Sequence, residues 1–215
     1  MVTRIRPVAQ PRLPSAPLSY VPQFLEQYSN VLRLFFEQLV NSVAALIGRN
    51  GGRYIECPNG LFFNTGEQTF AAINTAYPVV YNQTYLSNAV ALKSGSTSQI
   101  QVTIGGIYNF QYTGQVISGS SSAKNIYLWI KRNGINIGYS TRANTVSANN
   151  EYLELQWAFN IDLQANDYLE LEASVSDTSL HLHAETATAP HPGIPSSVMT
   201  VNFISPLPDT LPTPP

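Results

Sequence analysis

The chain has 215 residues and a formal net charge of −2, and charged residues make up only 11% of it, against about 25% in an ordinary soluble domain. Ser, Thr, Asn, Gln and aromatic residues fill the deficit. That balance suits a β protein with neutral polar outer faces and excludes a nucleic-acid binder, whose Lys and Arg would stand in clustered excess. Cys57 is the single cysteine, so neither an intrachain disulfide nor a thiolate zinc site within one chain is available.

Residues 1–18 read as a Pro-rich, mildly basic arm. Pro7, Pro11, Pro14 and Pro17 bar a helix and favour extended polyproline geometry. Arg4, Arg6 and Arg12 make it a candidate scaffold-binding arm that finds acidic patches on a larger assembly. No apolar h-region follows the arginines, so the pattern is not that of a secretory signal, and the expectation is a protein made in a cytoplasm.

Residues 19–48 are predicted to be helical. Ser19 is the expected N-cap and Pro22 fits the first turn; Gly48, Asn50, Gly51 and Gly52 form the stop. Leu25, Tyr28, Leu32, Phe35, Leu39 and Leu46, with Ser42 as the polar member, recur in alternating steps of three and four, a heptad seam. Phe24, Val31, Phe36, Val40, Val43 and Ile47 widen the stripe until two sides of the helix must be covered. Packing among symmetry-related copies in a short trimeric bundle is preferred over packing on its own domain. The apolar run Val31 to Ile47 is interrupted by Arg33 and Glu37 and is too short to span a bilayer, so no membrane is expected.

Residues 49–66 are assigned to a connector with short strands. From Tyr54 onward the period becomes two. Ile100 and Val102; Tyr108, Phe110 and Tyr112; Leu153, Leu155, Trp157, Phe159, Ile161 and Leu163; Leu169, Leu171, Ala173 and Val175; Leu180, Leu182 and Ala184; and Met199, Val201 and Phe203 each alternate with polar neighbours. One apolar and one polar face per strand means antiparallel sheets packed face to face. Asn133-Gly134 is a hairpin signal, and Asn166-Asp167 is a plausible break. The expectation is an all-β sandwich of roughly eight to ten strands over residues 67–204. Residues 205–215 form a second Pro-rich arm.

Several of these segments resemble the C1q/TNF-like jelly-roll family. The stretch from Thr69 through Ala76-Tyr77-Pro78 to Tyr81 is similar to its opening strands, and Gly106 to Gly114, with Tyr108, Phe110 and Tyr112, to its glycine and aromatic strand. Ile126 to Gly134 resembles its strand ending in a basic-Asn-Gly turn, and Leu163 to Leu171 its acidic-aromatic-leucine strand pair. The resemblance covers residues 67–204 in order and implies a jelly roll that forms tight threefold trimers. There is no Gly-X-Y stalk, which argues against an animal complement protein. A Pro-rich arm, a short helix and such a knob together resemble virion structural proteins of tailed bacteriophages.

No nucleophile elbow, P-loop, zincin or dinucleotide motif is present, so the chain is expected not to be an enzyme and to need no cofactor. His181 and His183 lie on one strand face with Glu185 next in line; they are weak metal candidates, and outward polar positions are the preferred reading. Glu151, Glu154, Glu170 and Glu172 suggest a glycosidase pair, but polar places on solvated faces explain them better. Trp157 is expected in the core. Tyr127 and Trp129 occupy the opposite face from Leu128 and Ile130 and are candidates for a trimer face or, less favoured, a sugar platform. Loops 118–125 and 186–197 are candidate tips.

Together these features predict a homotrimeric capsid decoration (cement) protein of a bacteriophage virion, assembled in the bacterial cytoplasm and partnered by the major capsid protein. The alternative is a tail-fibre or receptor-binding knob, partnered by a tail or fibre adaptor and touching a host-surface glycan.

Overall fold

The computed structural model describes residues 11–13, 19, 21–47 and 57–207, with side chains omitted at 44–47. The chain divides into two compact units between Glu56 and Cys57. Most of both Pro-rich arms, the glycine-rich helix stop and the side chain of Leu46 lie outside the described residues.

The first unit contains helix α1, Pro22–Ile47. Pro22 fixes its own φ and pushes the preceding residue toward extended geometry, so the helix cannot start earlier. Val21 therefore holds the N-cap position, its carbonyl accepting the Phe24 N–H at 3.0 Å. Ser19, the expected cap, stands two residues too far upstream. Leu25, Leu34, Phe36, Leu39, Val40 and Val43 are exposed, whereas Tyr28, Leu32 and Phe35 are half-buried. Phe24 and Tyr28, one turn apart, stack with ring centres 6.1 Å apart.

The second unit is a sandwich of two antiparallel sheets. The first sheet holds β1 (Asn59–Asn64), β2 (Gln68–Thr69), β4 (Gln83–Asn88), β7 (Gly106–Ser118), β11 (Tyr152–Leu163), β13 (Leu180–Leu182) and β14 (Ser197–Ser205). The second holds β3 (Tyr77–Pro78), β5 (Val90–Leu92), β6 (Ile100–Val102), β8 (Lys124–Arg132), β9 (Ile135–Asn136), β10 (Arg142–Val146) and β12 (Tyr168–Val175). Strand β7 is the hub of the first sheet: β11 runs along one edge, while β14 and β13 line the other end to end. From β7 to β8, β11, β12 and β14 the chain crosses repeatedly between sheets, the winding of a jelly-roll sandwich.

The period-two pattern explains the interior. Tyr108, Phe110, Tyr112 and Val116 of β7 join Ile126, Leu128 and Ile130 of β8 and Leu169, Leu171, Ala173 and Val175 of β12 in one buried cluster. Burying each large apolar side chain contributes about 1.5–3 kcal/mol before entropy losses. At the Asn133-Gly134 turn both residues have positive φ, 50° and 81°, as a two-residue primed hairpin requires, and Arg132 pairs with Ile135 across it.

One boundary and one burial differ from expectation. Strand β1 is an integral sheet member paired with β14 and β4, so the sandwich begins before residue 67 and inside the expected connector. The run Leu61-Phe62-Phe63 hides its alternation: Phe62 is fully buried, while Leu61 and Phe63 sit on the other face, half-buried. Trp157 points inward, in register with Tyr112, but among the described residues β11 pairs only with β7. That edge position leaves Trp157 partly covered rather than sealed in the core, packed 4.8 Å from the Phe159 ring.

Candidate functional site

The strand pairing of β13 with β2 creates the densest chemistry on the sandwich. His181 pairs with Thr69 and Leu182 with Gln68, so one further step along this antiparallel register sets Glu67 across from His183. Leu180 and Leu182 fill the core, which turns both histidines outward. Their rings stand 5.8 Å apart. His183 Nδ1 lies 3.0 Å and His181 Nε2 3.7 Å from the same oxygen, Glu67 Oε1. The acid that sequence spacing suggested, Glu185, takes another place: its Oε1 lies 3.1 Å from His183 Nε2.

The surroundings fix these groups. The Gln68 side chain donates to Ser196 and Ser197 and accepts the Val80 N–H at 2.9 Å, which holds the backbone next to Glu67. Glu185 exchanges two backbone hydrogen bonds with Ile194, both 2.9 Å. Tyr152 donates to Glu185 Oε1 at 3.2 Å and sets its ring edge against His183 at 5.4 Å. The hydrogen bond from His183, followed by that from Tyr152, holds the Glu185 carboxyl below its ordinary range despite some desolvation. Desolvation, then the neighbouring Glu185 carboxylate, pushes the Tyr152 phenol up.

The outer face of the second sheet departs from expectation. Glu170 and Glu172 are 8% and 3% exposed, not solvated. Ser98 donates to Glu170 Oε1 at 2.9 Å, and Lys131 clamps Glu172 Oε1 at 2.6 Å. Cross-strand neighbours and the 93–99 loop therefore cover positions that alternation alone assigns to water. Glu151 accepts the backbone N–H groups of Ser147 and Ala148 at 2.6 and 2.8 Å, a turn-stabilising role, while Glu154 is exposed. Tyr127 and Trp129 are half-buried on the same outer face as Lys131, and the Trp129 indole donates to Asn136 Oδ1 at 2.9 Å.

Of the other candidates, Arg12 is exposed, whereas Arg4 and Arg6 fall outside the described residues. Among the described residues no helix is long and apolar enough to cross a membrane.

No protein-family profile matches the sequence, and no curated protein matches it. Among solved structures, the globular domain of a zebrafish complement 1qA protein is similar, with 12% sequence identity over 70% of this chain and 99% of that chain, at a TM-score of 0.45.

Proposed function

We propose that this chain is a non-catalytic assembly protein of a bacteriophage particle: a trimeric capsid decoration protein whose helix joins copies and whose sandwich forms the knob. The observation that carries the reading is α1. Its 26 residues leave two members of the heptad seam, Leu25 and Leu39, exposed together with Phe36, Val40 and Val43 beside it. A helix so apolar gains stability only when those faces are covered, and three identical copies cover them symmetrically. The sandwich supports the reading differently. Its buried carboxylates are tied into structural contacts, Glu170 to Ser98 and Glu172 to Lys131, rather than poised as an acid–base pair.

The shell is the proposed partner, gripped by the basic arm. Purified protein added to empty capsids is expected to bind at hundreds of copies per particle, and deletion of residues 1–18 to abolish binding while the free trimer persists. Unchanged occupancy after the deletion would overturn the role of the arm. The second reading is a tail-fibre or receptor-binding knob that touches a host glycan, with Tyr127 and Trp129 on an outer face as its candidate platform. A copy number in the teens, in multiples of three, would select it.

A further inference from the structure

We infer that Glu67, His181 and His183 form a binding site for a divalent transition-metal ion of the Zn2+ type. Two imidazole nitrogens and one carboxylate oxygen converge, and all three donor atoms lie within 4.8 Å of one another. Ligands about 2.0–2.1 Å from a tetrahedral zinc stand roughly 3.3 Å apart. The contacts from Glu67 Oε1 to His183 Nδ1 and His181 Nε2, 3.0 and 3.7 Å, bracket that spacing. Small side-chain rotations complete the triangle and leave a fourth position for water or a ligand from elsewhere.

His183 faces a carboxylate at each ring nitrogen, Glu67 at Nδ1 and Glu185 at Nε2. A neutral imidazole carries a single N–H and can donate to only one of them; the other contact then sets lone pair against lone pair. A cation between Nδ1 and Glu67 removes the conflict and leaves the Nε2 proton for Glu185. That is the carboxylate–histidine–metal arrangement in which an outer acid fixes the tautomer and raises ligand basicity. A proton could bridge His183 and Glu67 alone, but His181 aims a second nitrogen at the same oxygen, which favours a metal ion. Imidazole donors select zinc-like cations over Ca2+ and Mg2+, which take sets of oxygen ligands. The site is preorganised, because Gln68 and Ile194 hold the backbone on either side. The inference stands apart from the proposed assembly role.

The test uses the full chain without an affinity tag, stripped with chelator. Equilibrium dialysis is expected to give one Zn2+ per chain, and Co2+ to show the visible absorption of a tetrahedral site. His181→Ala and Glu67→Gln should lose saturable binding, while Glu185→Gln, which keeps all three ligands, should weaken it by roughly 10–100-fold. His191→Ala should bind as the parent does. Circular dichroism of each metal-free variant, matched to the metal-free parent, separates loss of the site from loss of the fold. Absence of saturable binding by the parent, or binding undiminished in a well-folded His181→Ala/His183→Ala protein, would overturn the site.

Discussion

Helix α1 and the sandwich are built from the same kinds of apolar side chain and treat them in opposite ways. In the sandwich, Phe62, Phe110 and Leu169 are fully buried; on the helix, Phe36 is 55% and Val40 62% exposed. The difference follows from geometry. Two sheets with period-two faces supply each other's cover within one chain, whereas a single helix that is apolar around much of its girth must find cover outside itself. On the proposed trimer, stability of the sandwich is an intramolecular property, while that of the helix depends on association and hence on concentration.

Substitutions in the two regions should therefore have different readouts. The largest effect is expected at Phe110, which stacks on Phe159 at 5.5 Å. Phe110→Ala should cost the sandwich about 3–5 kcal/mol in chemical denaturation, independent of protein concentration. Phe36→Asp should leave that transition where it is and weaken self-association instead; an equal loss of sandwich stability would erase the contrast between the regions. Next comes Lys131→Met, which strands the Glu172 carboxylate in a buried site. It should cost about 2–3 kcal/mol, toward the low end for a broken buried pair because Lys131 is partly exposed, and Lys131→Met/Glu172→Gln should recover much of that. A single-variant cost near zero would show that Glu172 finds water after all. Gly114 comes third: a Cβ there would run into the Tyr112 hydroxyl, so Gly114→Ala should cost about 1–3 kcal/mol through overpacking.

The smallest expected effect is acid sensitivity at Asp167. Desolvation pushes its carboxyl up, but hydrogen bonds from Asn133, the Gln164 N–H and Arg132 outweigh it and leave the group below its ordinary value. The folded state thus binds its proton less readily than the unfolded chain. The stabilisation is complete above the ordinary carboxylate range and is lost as pH falls through the lower folded value. Below roughly pH 4 the parent should lose stability faster than Asp167→Asn; parallel profiles would remove Asp167 from the account.

Much of this was legible in the sequence. Alternation at Tyr108, Phe110 and Tyr112 places β7 in the interior, and Asn133-Gly134 marks the turn from β8 to β9 because positive φ leaves few residue choices. Strand β1 lies where short connector strands are expected, but its place in the sandwich is hidden because Leu61-Phe62-Phe63 is an unbroken apolar run. Glu170 and Glu172 were misjudged because alternation reports which face a residue occupies, not what lies over that face. The histidine cluster was half visible. Spacing aligned His181 with His183, but Glu67 reaches them through the two-residue strand β2, 116 positions from His183 and too short to carry a pattern.

Sedimentation velocity of the full chain at micromolar concentration tests the trimer itself. The expected result is a species of three times the 23.6 kDa chain mass that Val40→Asp shifts to single chains with an unaltered sandwich melt. A parent protein that sediments as a stable single chain would contradict it.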